Sequence, residues 1–386
     1  MRGLLLFGDT IRSAALRHEI PIAIIDPLLF AEADGRKYVL TSYLERDRVK
    51  RVLPDAELLD YFALGYKEFV ERGMSVSEAG REVEARAVAE IGIEEAIVPA
   101  DFPLALGDRL RRDGVVLTVD EAAVDLRRRA KSAVELEGIR AAQLAAEAGM
   151  AAASELLARA EPGAEGRLVV DGRLLLAEDV RAALREACEE NGAPCPPDVI
   201  VASLWQGNGH EPGSGPLPAG LPIQIDVWPH HEASGCWADM ARTFVVGDPA
   251  SEHADRIAEQ ARLVGAALEQ AKGAVRAGVT GRELFDATCD SLEAAGYPTQ
   301  RTAQDNEENG FLHSLGHGVG LEVHEAPSLG LAGRDPLVPG DVVAIEPGLW
   351  DTRFGGVVLE DLVLVTETGC EVLTRFPYDL TPAALT

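Results

Sequence analysis

The sequence predicts a two-domain protein, with a smaller α/β domain over residues 1–128 followed by a larger α+β domain over residues 129–386. Three observations support this prediction. A chain of 386 residues exceeds the usual size of one domain, about 100–200 residues. The first third alternates short apolar runs with helical stretches, which is typical of an α/β domain. The remainder combines long helices with strands and a hairpin, which is typical of an α+β domain.

In the first domain, two apolar runs predict strands and one amphipathic stretch predicts a helix. Residues 21–25 (Pro-Ile-Ala-Ile-Ile) and residues 37–41 (Lys-Tyr-Val-Leu-Thr) have the composition of buried strands. Residues 76–91 are rich in Glu, Ala and Arg and predict an amphipathic helix.

In the second domain, long stretches rich in Ala, Glu and Leu predict helices, and short apolar runs between them predict strands. The first helix is expected over residues 126–157, and the domain boundary lies at its start, near residue 128. Further helices are predicted at residues 172–190, 254–277 and 281–295. Strands are predicted at residues 199–203, 223–227, 237–246, 342–345 and 357–365. The turn at Thr368-Gly369 predicts an antiparallel hairpin.

The charge and the cysteines exclude several classes of protein. The net charge is −28 at pH 7, so we expect no nucleic-acid or anionic-membrane partner, and bound cations are favoured. No apolar stretch approaches the roughly 20 residues that span a membrane. The cysteines are scattered, odd in number and without a CxxC pair, which predicts neither a disulfide framework nor a thiolate zinc site. A reducing cytoplasm is therefore the expected location.

Three histidines fall in one glycine-rich segment. His313, His317 and His324 lie in the run His-Ser-Leu-Gly-His-Gly-Val-Gly-Leu-Glu-Val-His, whose glycines indicate a tight backbone close to other groups. A single histidine is most often an ordinary core or surface residue. Three of them in such a segment favour a functional site.

Four acidic residues are embedded in predicted apolar strands. They are Asp226, Asp239, Glu346 and Glu360. Burying a carboxylate is costly unless it is paired or binds a metal. Two Asp, two Glu and one His form an oxygen-rich set that suits a pair of divalent ions such as Mn²⁺, Co²⁺ or Zn²⁺. Such a pair can promote hydrolysis.

At these residues the chain resembles the pita-bread metallopeptidases (peptidase family M24), which include prolidases, aminopeptidase P and methionine aminopeptidases. The most specific match is residues 317–327 (His-Gly-Val-Gly-Leu-Glu-Val-His-Glu-Ala-Pro), supported by residues 238–244 and by Glu360-Asp361. The resemblance covers residues 128–386, and the preceding domain is similar to the creatinase-type N-terminal domain of the Xaa-Pro branch. It implies a pita-bread catalytic domain after a creatinase-like domain.

The resemblance also implies a role for each residue of the set. Asp226 would bind one metal, Asp239 and Glu360 would bridge both, and His317 and Glu346 would complete the other. A hydroxide that bridges the metals would attack the scissile carbonyl, with Glu346 as proton acceptor. The residues implied to hold the substrate or to stabilise the oxyanion are His210, His313 and His324.

The implied function is hydrolysis of the Xaa-Pro bond in dipeptides or short peptides with proline at the second position. The expected cofactor is two divalent ions per subunit, Mn²⁺ before Co²⁺ or Zn²⁺, and the expected assembly is a homodimer. A bond before proline has no amide N–H, so a pocket must select it.

Departures from the pattern of the family leave alternatives open. Val358 stands where Xaa-Pro enzymes commonly have an arginine that contacts the substrate carboxylate, and Arg353 is a candidate to replace it. Ala241 stands where a threonine is frequent. The alternatives are a broader aminopeptidase, a non-catalytic binding protein of the same fold and a metal-independent creatinase-like hydrolase.

His230 and His231 are expected to be exposed loop residues, with a role at the rim of the substrate site as the alternative. Cys236 is expected to serve packing, and Asp361 to complete a hydrogen-bond network around Glu360.

Overall fold

A computed structural model describes residues 1–204 and 211–383, which form two compact units. The first unit contains residues 1–128 together with residues 233–235, and the second contains the rest. Among the described helices, none is both long enough and apolar enough to cross a membrane.

The first unit is built around one mixed sheet. Its elements are, in chain order, β1 (Arg2–Gly8), α1 (Ala14–Glu19), β2 (Leu28–Ala33), β3 (Arg36–Thr41), α2 (Arg46–Val52), β4 (Glu57–Asp60), α3 (Tyr66–Glu71), α4 (Val76–Ile91), β5 (Glu95–Val98), α5 (Leu104–Arg112), β6 (Val116–Val119) and α6 (Glu121–Arg129). The strand order is β4-β3-β2-β1-β5-β6. The β1–β2 and β2–β3 pairs are antiparallel, and the other pairs are parallel.

Local sequence signals explain the correct and the wrong predictions in this unit. The predicted helix 76–91 is confirmed as α4, because Ser75 and Glu78 form a capping box at its start. The predicted strand 37–41 is confirmed within β3. The predicted strand 21–25 is wrong. There the Ile24 amide donates to Thr10 Oγ1, and the Ile24 carbonyl accepts from the Thr10 amide instead of from a neighbouring strand.

The described part of the second unit has four long helices and several small antiparallel sheets. Its elements are α7 (Ala133–Ala158), β7 (Glu161–Pro162), β8 (Leu168–Val170), β9 (Arg173–Leu174), α8 (Ala177–Glu190), β10 (Ile200–Ala202), β11 (Ile223–Val227), β12 (His230–His231), β13 (Cys236–Trp237), β14 (Met240–Phe244), α9 (Ser251–Ala274), α10 (Gly281–Ala294), β15 (Gly316–Gly318), β16 (Glu325–Leu329), β17 (Val342–Ile345), β18 (Gly348–Asp351), β19 (Gly355–Val358), β20 (Asp361–Val365) and β21 (Cys370–Val372).

Two layers of this unit have separate hydrophobic cores. In the three-stranded layer, α7 and α8 pack on the sheet β10-β11-β14 through residues such as Met150, Leu184 and Ile225. In the five-stranded layer, α9 and α10 pack on the sheet β16-β15-β17-β20-β21 through residues such as Phe285 and Val363. Each layer therefore buries its own apolar surface. The predicted hairpin is confirmed, since β20 pairs antiparallel with β21.

Three long predicted elements are interrupted. The helix predicted over 126–157 is two helices, because Ser132 caps the start of α7 in a capping box with Glu135. The strand predicted over 237–246 breaks between β13 and β14, and the strand predicted over 357–365 breaks between β19 and β20. Asp239 lies in the first of these breaks and Glu360 in the second. The interruptions release both acidic residues from regular pairing.

Candidate metal centre

The two layers bring five predicted residues together. Asp226 lies on β11 opposite Ala241, and Asp239 immediately precedes β14. His317 is the central residue of β15, Glu346 follows β17 and Glu360 precedes β20. Strand ends from both layers thus aim carboxylates at one imidazole.

Glycines beside His317 allow the strands to approach. A Cβ atom on Gly316 would lie 1.9 Å from the carbonyl oxygen of Ala344 on β17. On Gly318 it would lie 2.3 Å from the carbonyl oxygen of Ala326 on β16. Both distances are far below contact, so any side chain at either position would force the sheet apart around His317.

The ligand atoms form overlapping groups. The Nε2 atom of His317 is 3.7 Å from Asp239 Oδ2 and 3.6 Å from Glu346 Oε1. Asp239, His317 and His324 form one group whose ligand atoms lie within 4.8 Å of one another. The same distance joins two groups made of the five predicted ligands alone, namely His317–Glu346–Glu360 and Asp226–Asp239–Glu360. Glu360 belongs to both groups. Such an arrangement can hold metal at two adjacent positions that share a carboxylate.

The backbone fixes which nitrogen of His317 faces the carboxylates. Its Nδ1 atom lies 3.1 Å from the carbonyl oxygen of Gly318. Since a carbonyl can only accept, Nδ1 must carry the proton, which leaves the lone pair of Nε2 toward Asp239 and Glu346. Burial, and then the neighbouring His324, lower the pKa of His317 to about 4. The imidazole is thus held neutral, as a metal ligand must be.

No lysine or arginine among the described residues forms a salt bridge with these four carboxylates. Burial raises the pKa of Asp226 to about 7, and burial with repulsion from Asp226 raises the pKa of Glu346 to about 8. The pKa values of Asp239 and Glu360 lie well above the usual range, from burial and then from the other carboxylates. Asp226 Oδ1 is buried and has no hydrogen-bond partner among the described residues. These are the properties of a set of oxygen donors that fits divalent cations.

Hydrogen bonds hold the two strand breaks in place. The Asp239 carboxylate accepts from the Met240 amide at 3.1 Å. The Glu360 amide donates to the carbonyl of Ala241 at 3.1 Å, and Arg242 donates to the Glu360 carbonyl at 2.6 Å. Arg242 therefore ties together the strand breaks that carry Asp239 and Glu360.

The cluster lies at a cavity of about 720 Å³. The cavity is also lined by His313, His324, Trp350 and Val358. His313 donates from Nδ1 to the Ser314 carbonyl at 2.8 Å, which leaves Nε2 as an acceptor in its neutral form. The ring of His324 stands edge-on to that of His317, with 4.2 Å between centroids. His210 lies outside the described residues.

Other residues singled out in the sequence have ordinary surroundings. Arg353 donates through Nε and Nη2 to the carboxylate of Asp351. The prediction that His230 and His231 are exposed loop residues is wrong: both are half-buried on β12, because β12 pairs with β13 and the ring of His230 packs 4.3 Å from that of Trp237. Cys236 is fully buried. Asp361 accepts hydrogen bonds next to Glu360, as expected of a supporting residue.

Sequence reasoning missed residues that support the site from a distance. The buried ion pair Lys131–Glu325 joins the start of α7 to the segment that carries His324. Arg242 lies within residues 238–244, which support the family resemblance, but the local pattern predicts no role for it. The one available signal for Lys131 and for Arg242 is a basic residue close to a buried strand. Pairing between residues far apart in the chain is not visible in local sequence patterns.

Comparison with known proteins gives a consistent result. The profile of metallopeptidase family M24 matches residues 137–367. The chain is 33% identical over 216 residues to the Xaa-Pro dipeptidase of Pyrococcus furiosus, which covers 52% of this chain and 54% of that protein. The chain spans about half the length of the curated relatives it matches.

Two solved structures are similar over nearly the whole chain. The Xaa-Pro dipeptidase from Bacillus anthracis matches with a TM-score of 0.77 and 23% identity, over 98% of this chain and 94% of that one. The X-Pro aminopeptidase from Thermotoga maritima matches with a TM-score of 0.75 and 22% identity, over 98% and 97%. At this identity the likeness shows the fold, and it confirms the predicted fold class.

Proposed function

The chain belongs to metallopeptidase family M24, and from this premise we propose that it is a dinuclear metal-dependent peptidase that hydrolyses Xaa-Pro bonds. The proposed substrates are dipeptides or short peptides with proline at the second position. One observation carries the proposal: two buried carboxylates, two half-buried carboxylates and a neutral imidazole converge on one cavity.

The donor set suggests how two ions would be held. We assign Asp226, Asp239 and Glu360 to one ion, and His317, Glu346 and Glu360 to the other, with Asp239 also close enough to His317 to be shared. Two divalent ions would balance the four negative charges of the carboxylates. When bound, such ions lower the pKa of water and polarise a carbonyl.

The chain's own residues would position the peptide and move protons. Glu346 lies at the cavity wall beside His317 and would accept a proton during attack and return it to the leaving nitrogen. His324 and His313 line the same cavity. His324 would donate a hydrogen bond to a peptide carbonyl, and Nε2 of neutral His313 would accept one from the amino group of the peptide. His210 is proposed for the same task as His324 on the basis of the family resemblance.

The proposed preference for proline is supported by the similarity to Xaa-Pro dipeptidases. A prolyl nitrogen carries no N–H, so shape must select it, and Trp350 and Val358 offer apolar surface in the cavity. We also propose Mn²⁺ as the ion, with Co²⁺ or Zn²⁺ as substitutes, and a cytoplasmic homodimer. These assignments rest on the resemblance to the Xaa-Pro branch, as do the roles of residues 1–128 as a creatinase-like domain and 129–386 as the catalytic domain.

A panel of peptides tests the function. Metal-stripped protein is assayed alone and with Mn²⁺, Co²⁺ or Zn²⁺ on Xaa-Pro dipeptides, Xaa-Pro tripeptides and Xaa-Ala controls. Metal-dependent cleavage confined to Xaa-Pro peptides is the expected result. No cleavage by protein that has bound two ions per chain would overturn the proposal.

A second candidate function is a broader aminopeptidase. It is favoured by Val358 and Ala241, which line the cavity where relatives of the Xaa-Pro branch commonly carry Arg and Thr. Cleavage of the Xaa-Ala controls at rates close to those of the Xaa-Pro peptides would establish this alternative.

A further inference from the structure

The segment that carries His324 is attached to the rest of the second unit through the residue that follows, Glu325. His324 itself is exposed, so core packing does not fix its position. Glu325 begins β16, and its side chain is 2% exposed. Its carboxylate pairs with the ammonium group of Lys131, which is also 2% exposed. The anchor of an exposed ring is thus a buried ion pair.

The loop between β15 and β16 is wrapped around this ion pair. A Cβ atom on Gly320 would lie 2.6 Å from Glu325 Oε1 and 2.9 Å from Lys131 Nζ. The Glu322 amide donates to Glu325 Oε2 at 3.4 Å. Glycine at 320 is therefore what allows the backbone to close over the pair.

The same loop contacts the strand that leads to Asp239. The Trp237 amide donates to the Gly320 carbonyl at 2.8 Å. His324, His317 and Asp239 have ligand atoms within 4.8 Å of one another. A shift of the loop would move the His324 ring away from the cluster and loosen the approach to Asp239.

The other end of the anchor is equally well held. Lys131 precedes Ser132, the N-cap of the long helix α7, and its amide donates to the Gly340 carbonyl at 3.3 Å. A residue at the start of a 26-residue helix offers a rigid reference point. We infer that Lys131 is a positioning residue, which acts through Glu325 to hold His324 edge-on to His317 at the rim of the cavity.

This inference rests on the proposed function for its catalytic consequence, because His324 contributes to hydrolysis only if the cavity binds peptides. The placement of the ring is a separate, directly measurable property. The test therefore uses one readout that needs no activity and one that does.

The variants keep the fold by removing both charges. Loss of Lys131 alone would leave the buried carboxylate of Glu325 without its counter-charge, which destabilises a fold strongly. The variant is therefore Lys131→Met with Glu325→Gln, and Lys131→Arg is the conservative rescue. The matched control is Arg129→Met with Asp341→Asn. It removes another buried pair, 7% and 0% exposed, two residues earlier in the chain.

The first readout is the imidazole NMR spectrum of the full-length protein, metal-free and Zn²⁺-loaded, with labelled histidine. The chain has 8 histidines, and His317→Gln and His324→Gln variants assign the two signals. We expect the mutual ring-current shift of His317 and His324 to collapse in the Lys131/Glu325 variant. It should persist in the control and return in Lys131→Arg. An unchanged shift in the Lys131/Glu325 variant overturns the inference.

The second readout is a kinetic cycle with His324→Ala on an Xaa-Pro tripeptide. Loss of the ion pair should lower kcat by about tenfold to a hundredfold in the wild-type background. In the His324→Ala background the same change should cost less than about twofold, since the ring it positions is gone. Equal losses in both backgrounds, as expected for the control pair, overturn the inference. A collapsed ring shift in a protein that cleaves no peptide overturns the proposed function and leaves the placement of His324 by Lys131 supported.

Discussion

Glu360 and Asp361 are adjacent in the chain and both are buried, yet their carboxylates have opposite surroundings. Glu360 faces Asp239, Asp226 and Glu346, and burial followed by these like charges raises its pKa well above the usual range. Asp361 accepts from Arg242 Nη2 at 2.9 Å and from Lys272 Nζ at 2.8 Å. Successive side chains of an extended segment point to opposite sides, which separates the two environments.

The difference supports separate roles for the two carboxylates, a structural one for Asp361 and a ligand role for Glu360. Burial lowers the pKa of Lys272, but its hydrogen bonds to Asp361, Glu269 and Tyr378 more than offset this and raise it. Asp361 is thus neutralised by the chain itself and serves structure. The carboxylate of Glu360 has no basic side chain as a salt-bridge partner among the described residues, so it is available to a cation from outside the chain.

The largest expected effect is that of a substitution at Glu360, the carboxylate that faces other carboxylates. Glu360→Gln removes an oxygen anion shared by both ligand groups, so kcat/KM should fall by about 10³-fold or more, with loss of bound metal. The metal-free variant should unfold at the same or higher urea concentration than the wild type, since a repulsion is relieved. Full activity would contradict the assignment. Glu367→Gln, at an exposed turn, is the control.

The same chemical change one residue later should have the reverse outcome. Asp361→Asn leaves Arg242 buried without its counter-charge and leaves Lys272 with Glu269 as its carboxylate partner, which should lower the free energy of unfolding by about 3–5 kcal/mol. Urea-induced unfolding of the metal-free protein measures this, with the exposed Asp335→Asn as control. A loss below that of the control would show that the network is not needed.

A third buried carboxylate, that of Glu84, separates the effect of burial on a pKa from the effect of repulsion by other carboxylates. Glu84 on α4 is 5% exposed, Oε2 has no hydrogen-bond partner among the described residues, and burial raises its pKa to about 7. A folded pKa above the unfolded value gives stability that is complete below the unfolded pKa and is lost as pH rises through 7.

Glu84→Gln should therefore match the wild type near pH 4.5 and exceed it by up to about 3 kcal/mol at pH 8. Urea unfolding at the two pH values gives the difference, and added Mn²⁺ should not change it. A difference that is independent of pH would show that Glu84 does not titrate as its burial indicates.

The smallest expected effect comes from one hydroxyl group among the side chains that contact Asp361. Tyr378 donates to Asp361 Oδ2 at 2.5 Å and accepts from Lys272 at 2.7 Å. Tyr378→Phe removes both contacts but leaves the two cations, so unfolding should become easier by about 1–2 kcal/mol. Thermal or urea unfolding beside Tyr43→Phe, which is 67% exposed in the wild type, checks the value. A loss as large as that of Asp361→Asn would mean that the cations alone do not hold the carboxylate.

Strong local periodicity made most elements of the fold predictable. Residues 223–227 and 342–345 are strands with the expected bounds, and α10 ends one residue before the predicted limit. The failure at residues 21–25 has a physical cause, because the side chain and backbone of Thr10 take the hydrogen bonds that a strand neighbour would provide. The break before α7 was readable from Ser132 and Glu135, a capping box inside an otherwise helical pattern.

The candidate ligands were readable because each is an acidic or imidazole group in an apolar strand. The residues that support these ligands could not be predicted, because they form ion pairs between residues far apart in the chain. These pairs are Arg242–Asp361 and Lys131–Glu325. Nothing local in the sequence distinguishes such a basic residue from a solvated one. The roles assigned to the ligands stay predictions until the variants are measured.

The separation of the two hydrophobic cores has a consequence for kinetics. Asp226 and Asp239 belong to the three-stranded layer, and His317, Glu346 and Glu360 to the five-stranded layer. Each layer can bury its core before the carboxylates meet, so the cluster is expected to be absent from the transition state for folding. Ions that bind the cluster should then slow unfolding and leave the folding rate nearly unchanged. The lifetime of the native protein, rather than the speed at which it forms, would follow the supply of metal.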